Sequence, residues 1–177
     1  LALNSRQSAA PGTAADTAKK SGKKKKEATP RNSRGPAFEG ADVPDDTFTD
    51  GANATLAVAT LGQLAKKKEP FFLAVGFSKP HLPFVAPKKY WDLYDPTKIQ
   101  LAPNKFRPKD APDYAIQPGG ELRNYHGIPE GSIPDDLARQ LRHGYYAAIS
   151  YTDAQIGKVL DELDRSGLSR NTIIVLW

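Results

Sequence analysis

The feature that most constrains the fold of this sequence is an apolar run at residues 71–77, which ends directly before the sequence Ser-Lys-Pro-His. Its aromatic and aliphatic residues follow one another without polar alternation, and this is typical of a strand covered on both faces. Such strands belong to the parallel or mixed sheets of α/β proteins, where ligands bind beyond the carboxyl ends of the strands. The run therefore predicts a ligand site close to Lys79 and His81.

Two helical patterns flank this run. Residues 52–67 repeat apolar positions at helical spacing, and we expect Asp50 to cap the start of that helix. Residues 134–166 carry a longer apolar stripe with polar residues on the other face, and Gly167 is a typical stop signal at the end of a helix. Both patterns predict helices that pack one face against a sheet.

A second apolar run at residues 171–177 predicts a second buried strand. We expect it to be a neighbour or near neighbour of residues 71–77 in one parallel sheet covered by the two helices. Residues 80–134 contain ten prolines and one short helical patch, so they predict a long loop that forms a wall of a binding cleft. The order helix, strand, loop, helix, strand is typical of an α/β sandwich with a mostly parallel central sheet flanked by helices.

The positive charge is concentrated at one end of the chain. The formal net charge is +5, but residues 1–34 hold nine Lys or Arg against two Asp or Glu, so the rest of the chain is slightly acidic. Residues 1–34 also lack large apolar side chains, which predicts a disordered, Lys-rich, low-complexity insertion before a globular part at 35–177. The Lys run indicates either a contact with polyanions or a solvated loop, and the second interpretation is favoured. The acidic body excludes a specific nucleic-acid binder.

Several residue types limit the chemistry and the extent of the chain. There is no Cys, so neither a thiolate nucleophile nor a disulfide occurs within these residues. No apolar run is long enough to span a bilayer, and no signal peptide is present. Because there is also no Met and an apolar run stops at Trp177, we expect the chain to be a piece of a longer protein, truncated at both ends.

Lys79 and His81 are the best candidates for a chemical role. They flank Pro80, so on an extended backbone their side chains would leave the same face. A permanent cation beside a group that donates a proton near neutral pH can hold an oxyanion and assist a leaving oxygen. The alternative is that His81 is an ordinary hydrogen-bonded residue at the end of a strand.

Other polar residues of the sequence favour structural roles. Asp153 lies mid-helix near three tyrosines, which predicts a Tyr–Asp hydrogen-bond network that holds the helix to the sheet. Gly144 and Gly157 weaken that helix, so we expect close packing at both positions. The acidic sequence at residues 42–46 favours a turn over a metal site.

Taken together, these segments resemble the sulfatase family, most closely its iduronate-2-sulfatase-like branch. The resemblance rests on DVPDDTFTDG, PFFLAVGFSKPHLPFVAPKKYWDLYD, IQLAPN and GYYAAISYTDAQIGKVLDELDRSGLSRNTIIVLW. It covers residues 36–177 in order and leaves residues 1–34 outside.

The resemblance implies an alkaline-phosphatase-like α/β fold and hydrolysis of sulfate esters, with a sulfated carbohydrate or related ester as substrate. It also implies a formylglycine nucleophile, made in a C/S-x-P-x-R motif, and a calcium ion held by an early Asp pair and by a later Asp-His/Asn-Gly ligand loop. Neither the motif nor the ligand loop occurs in this sequence, so we expect both to lie outside the chain and the chain alone to be inactive. Among the family's site residues, only the His of K-P-H transfers, to His81, as a contact to the sulfate. Lys79 transfers as its motif neighbour only, and we expect it to bind an acidic part of the substrate. A periplasmic, extracellular or lysosomal location is implied as well.

Two other functions remain open at this point. Another hydrolase of the same superfamily, a phosphodiesterase or phosphonate hydrolase, would share the fold and differ in its nucleophile. A non-catalytic polyanion-binding protein would instead use the Lys-rich segment. The sequence leaves the identity of the substrate and the oligomeric state open.

Overall fold

The computed structural model describes residues 34–116 and 120–177, which form α/β structure with short parallel strands. The predicted α/β class is confirmed, because β1 pairs with β4 and β2 pairs with β3, both in parallel. Of the Lys-rich segment only Arg34 is described, and it begins β1; the rest lies outside the described residues. The strands are β1 (Arg34–Pro36), β2 (Phe38–Ala41), β3 (Phe84–Pro87) and β4 (Tyr125–His126), and the helices are α1 (Thr49–Leu64), α2 (Lys88–Trp91) and α3 (Asp135–Arg165). Single 3₁₀ turns occur at Asp45–Thr47, Pro96–Lys98, Asp113–Ala115, Leu122–Asn124 and Ser169–Asn171.

Helix α3 organises the core, because its apolar stripe packs on β2, β3, α1 and α2. One cluster on this stripe joins Leu141 to Ala37 and Tyr125, and a second joins Ala147 and Tyr151 to Ala86. Burial of these side chains supplies the main driving force for docking the helix, at about 25 cal/mol for each Å² of apolar surface. The sequence-predicted helix at 134–166 agrees with α3 to within a residue at each end. None of the helices in the described ranges is both long and apolar enough to cross a membrane.

The two predicted buried strands are not found in either sheet. Residues 71–77 and 172–177 have no regular structure and no strand partner among the described residues. The prediction that 71–77 is covered on both faces is also wrong, because exposure alternates along the segment and Phe72 is 91% exposed. The physical reason is that an apolar run sets the extended backbone, whereas a strand also needs a neighbour that supplies ladder hydrogen bonds.

The long loop predicted at 80–134 holds more structure than expected. The predicted short helical patch is α2, but the loop also contains β3 and β4, and the residues before it contain β2, none of which the sequence pattern indicated. These strands are two to four residues long, so they are too short to show a repeating pattern of apolar residues.

The ends of the helices differ in how well they were predicted. Gly167 stops α3 as expected: its φ of +70° is left-handed, and its N–H donates to the carbonyl of Asp164 at 2.9 Å. The predicted cap of α1 is wrong, because the helix begins at Thr49 and the N-cap residue is Phe48. Asp50 lies inside the first turn, and its side chain is used elsewhere.

A buried polar network joins α1, α2 and α3, but it does not involve Asp153, which is exposed. Its centre is Asp45, whose carboxylate contacts Lys158 Nζ at 2.6 Å and Lys89 Nζ at 2.7 Å. The Tyr151 hydroxyl donates to the Asp45 carbonyl at 2.8 Å and accepts from the Gly51 N–H at 2.6 Å. A Tyr–Asp network therefore exists, with Asp45 in place of the predicted Asp153, and the acidic stretch forms a turn as expected.

Burial and charge shape the pKa values in this network. Burial alone would raise the pKa of Asp45, but hydrogen bonds from Lys158 and Lys89 outweigh it and hold the pKa far below its usual range. Burial raises the pKa of Tyr151 to about 12, against the opposing effect of the hydrogen bond from Gly51. Asp45 is therefore a permanent anion and Tyr151 a neutral donor at physiological pH, which is the state that the network requires.

Candidate functional site

The candidate site is built around a turn that a buried carboxylate holds in place. Asp50 is 2% exposed, and its two carboxylate oxygens accept hydrogen bonds from the Ser78 N–H at 2.9 Å and the Lys79 N–H at 2.8 Å. Asn53, one turn further along α1, donates to the Gly76 carbonyl at 3.1 Å. The first turns of α1 thus hold the end of the apolar segment 71–77 and the two residues that follow it.

The chain reverses direction at a turn that begins with Ser78 and Lys79, the two residues whose N–H groups bind Asp50. The Lys79–Pro80 peptide is cis, and the His81 N–H donates to the Ser78 carbonyl at 3.0 Å, which closes a four-residue turn. The expectation that Lys79 and His81 leave an extended backbone on the same face is therefore wrong. A second cis bond at Leu82–Pro83 leads from this turn into β3.

Lys79 lies at the inner side of the turn. Its ammonium donates to the His81 carbonyl at 3.2 Å, and its own carbonyl accepts from the Thr152 hydroxyl of α3 at 3.3 Å. Burial lowers the pKa of Lys79, and the nearby Asp50 carboxylate partly offsets this shift. Lys79 is thus packed against the turn, while His81 extends from it.

The His81 ring points away from the turn, and its side chain is 63% exposed. Its Nδ1 lies 2.8 Å from the Leu82 carbonyl, so an N–H at this position donates to that oxygen. Its Nε2 lies 3.4 Å from a carboxylate oxygen of Glu121. The backbone contact fixes the ring and leaves Nε2 as the nitrogen that faces solvent and Glu121.

Glu121 connects His81 to β1 and β4. Its other carboxylate oxygen lies 3.3 Å from the Arg34 guanidinium, which also donates to the Tyr125 hydroxyl at 3.3 Å. The hydrogen bond with Tyr125 raises the pKa of Arg34, and Glu121 adds to this effect. The result is a surface cluster of Arg34, His81, Glu121 and Tyr125 that reaches across three distant parts of the sequence.

This arrangement can bind an anion and donate hydrogen bonds to it. A guanidinium and the N–H groups of a protonated histidine are charge-assisted donors, which bind oxyanions more strongly than neutral donors do. The site offers positive charge and donors, and the chain contains no Cys that could supply a thiolate nucleophile.

The residues present do not fit a calcium site. Within 34–116 and 120–177, no three His, Asp or Glu side chains are arranged so that they could hold a metal ion. The buried carboxylates among the described residues are already bound, Asp45 by two lysines, Asp50 by two backbone N–H groups and Glu162 by Arg165 and Ser166. No step of the chemistry is therefore assigned to a metal held by these residues.

Sequence reasoning found the position of the site but not most of its members. Lys79 and His81 were predicted together and lie on one turn, whereas Asp50 was expected only as a helix cap. Glu121 and Arg34 were missed, since Arg34 falls in the Lys-rich segment and Glu121 in a loop without periodicity. The one available signal for Glu121 was its charge beside the two glycines at 119 and 120, and a charge alone does not indicate which residue it contacts.

Comparison with known proteins adds independent information. The model of the family described as "Sulfatase" matches residues 1–177. The chain is 40% identical over 141 residues to iduronate 2-sulfatase of Mus musculus, an alignment that covers 76% of this chain and 26% of that protein. It is 38% identical over 140 residues to iduronate 2-sulfatase of Homo sapiens, covering 75% and 26%. A protein named sulfatase from Formosa agariphila is 39% identical over 113 residues, covering 62% and 22%. The chain thus spans about a quarter of the length of these relatives.

Proposed function

The chain belongs to the sulfatase family, and from this premise we propose that it forms the central part of the catalytic domain of a sulfuric ester hydrolase. Its fold class is the alkaline-phosphatase-like α/β class of that family. The proposed substrate is a sulfated sugar or a related sulfate ester. A periplasmic, extracellular or lysosomal location is part of the same proposal.

The observation that carries this proposal is the exposed ring of His81 on a turn held by a buried carboxylate. Asp50 fixes the backbone before the turn, and the Leu82 carbonyl fixes the ring through Nδ1 at 2.8 Å. A donor held in this way needs no reorganisation when charge develops on a sulfate oxygen. Because the Nδ1–H already donates to the Leu82 carbonyl, Nε2 carries a proton only in the imidazolium form, and we assign this form of His81 the catalytic role of donating a hydrogen bond from Nε2 to the sulfate group.

Lys79 has a supporting role in this proposal. Its ammonium lies on the inner side of the turn and contacts the His81 carbonyl at 3.2 Å. Its positive charge favours an anionic substrate at the turn, so we assign it to substrate binding. It is not placed at the reacting atoms.

The isolated chain is proposed to be catalytically incomplete. Hydrolysis of a sulfate ester consumes one water and yields an alcohol and sulfate, and the first bond to sulfur requires a nucleophile. The sequence has no Cys and no S-x-P-x-R motif from which a formylglycine could be made. The nucleophile, and any calcium ligands, are therefore proposed to come from other segments of a longer protein.

The test is a comparison of the 177-residue chain with the complete protein that contains it. Both are assayed on an aryl sulfate and on an aryl phosphodiester, with a mock preparation as the blank. The complete protein should hydrolyse the sulfate ester, and the chain alone should show no turnover with or without added calcium. Turnover by the chain alone would contradict the proposed incompleteness. A complete protein that cleaves the phosphodiester and not the sulfate ester would assign it to another hydrolase class of the superfamily.

A further inference from the structure

The two carboxylate oxygens of Glu121 contact nitrogen atoms of two different side chains. Oε1 lies 3.3 Å from Arg34 Nη1, and Oε2 lies 3.4 Å from His81 Nε2. The three residues come from β1, the turn before β3 and the segment before β4, so the fold and not local sequence brings them together. A carboxylate held between two donors occupies the position that an oxyanion of a ligand would take.

The two donors are held in place by contacts that do not depend on Glu121. The pairing of β1 with β4 sets Arg34 opposite Tyr125, and the guanidinium lies over the tyrosine ring, 5.4 Å from its centre. The Tyr125 hydroxyl accepts from the same guanidinium nitrogen at 3.3 Å. The His81 ring is fixed by the Leu82 carbonyl. If the Glu121 side chain moved away, both donors would keep their places.

The cluster is open to a ligand from solvent. The side chains of Arg34, Glu121 and His81 are 52%, 45% and 63% exposed. Ion pairs at such exposure are weak, because water and salt screen them. A substrate oxyanion can therefore displace the Glu121 carboxylate.

We propose that Arg34 and His81 together form a binding site for an oxyanion of the substrate, and that Glu121 is an internal carboxylate that occupies this site in the absence of substrate. The ligand is a sulfate or a carboxylate, since a guanidinium presents parallel N–H donors that match two oxygens of either group. The inference rests on the proposed function, in which His81 contacts the anionic substrate. It adds Arg34 as a second residue that binds the substrate oxyanion. It also implies that Glu121 weakens substrate binding by competing for the same two donors.

A different role for Glu121 makes the opposite prediction. If Glu121 served to orient His81, its removal would weaken anion binding. If it occupies the anion site, its removal strengthens binding, because a bound anion no longer meets a like charge. At a separation of about 5 Å in water, one unit of like charge is worth about a fourfold change in affinity.

The test is a titration of the 177-residue chain with sodium acetate and, separately, sodium sulfate, at low ionic strength and below about pH 6.5, where histidine rings carry charge. Binding is followed by NMR through the Arg34 side-chain N–H and the His81 ring. Glu121→Gln should tighten acetate binding about fourfold and sulfate binding by more, and Arg34→Ala should abolish the gain. The relative affinities of the two anions assign the site to the sulfate group or to a carboxylate on the same substrate.

Glu69→Gln is the matched control, because it removes the same charge from an exposed position beyond the opposite end of α1. A helix of that length separates the two sites by about 24 Å, so this variant should bind like the unchanged chain. Unchanged or weaker binding in Glu121→Gln would overturn the proposal, as would an equal gain in Glu69→Gln. If only the His81 ring responds to the anions and Arg34 does not, the inferred site fails while the proposed contact of His81 survives. If neither responds, the site itself is refuted, and activity of the complete protein on a sulfate ester then decides the proposed function separately.

Discussion

Asp50 is the residue on which the geometry of the candidate site depends most directly. Its side chain is almost fully buried and accepts two backbone hydrogen bonds from the residues that begin the turn. A carboxylate in the first turn of a helix is also stabilised by the positive end of the helix dipole. Both effects stabilise the Asp50 side chain in its present position.

We predict that Asp50→Asn lowers the free energy of unfolding by about 2 kcal/mol. The amide keeps the size of the side chain but has only one acceptor oxygen, so one backbone N–H faces an NH₂ group and stays unsatisfied. Urea denaturation of the chain measures the change. Asp153→Asn is the control, because Asp153 is exposed on α3 and its replacement should stay within about 0.5 kcal/mol. Equal effects of the two substitutions would contradict the role given to Asp50.

The sequence identified individual residues only where their type limits their chemistry. His81 and Lys79 were predicted because an imidazole and a cation beside a proline are uncommon at the end of an apolar run. The Asp50 clamp, by which we mean its two hydrogen bonds to the Ser78 and Lys79 N–H groups, was not predictable. These partners are backbone groups 28 and 29 positions away, and a backbone N–H is present whatever the residue type. Arg34 and Glu121 lie 87 positions apart, and their contact follows from the pairing of two very short strands.

Among the elements, α3 shows most clearly how packing and helix propensity compete. Gly144 and Gly157 were both expected to mark close packing. A Cβ atom at Gly144 would lie 2.8 Å from Trp91, 3.0 Å from Phe84 and 3.1 Å from Phe38, so the expectation is confirmed there. At Gly157 a Cβ atom would have no neighbour within 4 Å, so the expectation is wrong there.

We therefore predict opposite effects for two identical substitutions in one helix. Gly157→Ala should stabilise the chain by up to about 1 kcal/mol, because alanine has the higher helix propensity. Gly144→Ala should destabilise it by about 1 to 2 kcal/mol, because overpacking against the Trp91 and Phe84 side chains exceeds that gain. Thermal unfolding of the two variants, followed by circular dichroism at 222 nm, tests the pair. Stabilisation by Gly144→Ala would show that α3 is not packed as closely as described.

The helices could be predicted and the strands could not, for a physical reason. A helix satisfies its backbone within its own sequence, so α1 and α3 are visible as apolar stripes, and the end of α3 is also marked by Gly167. A strand is completed by a partner elsewhere in the chain. The two strongest apolar runs, at 71–77 and 171–177, have no ladder among the described residues, while strands of two to four residues do.

At the scale of the whole molecule, the described residues form a core organised by helices. The first turn of α1 contacts the turn at residues 78–81, and β3 begins shortly after that turn. The buried Asp45 network and the Asp50 clamp both attach α1, so the same helix is linked to the core and to the candidate site. The chain spans about a quarter of the length of its relatives. The candidate site offers hydrogen-bond donors that can bind an anion, and the chain has no Cys to act as a nucleophile. From this combination we infer that the chain forms one wall of the substrate-binding cleft in a larger catalytic centre.

The central claim is that His81 hydrogen-bonds the sulfate group in the complete enzyme, and the kinetics of His81→Ala on a sulfate ester test it most directly. We predict that kcat/KM falls about 10²-fold or more, on the order of 3 kcal/mol, as for other donors to a developing oxyanion. The melting temperature should stay unchanged because the ring is exposed, and Lys79→Ala should act more mildly and mainly through KM. His126→Ala is the control, since His126 is exposed and follows Tyr125 on β4, where alternation turns it to the other face. Near-normal kinetics for His81→Ala, or a loss that only tracks a lower melting temperature, would contradict the claim.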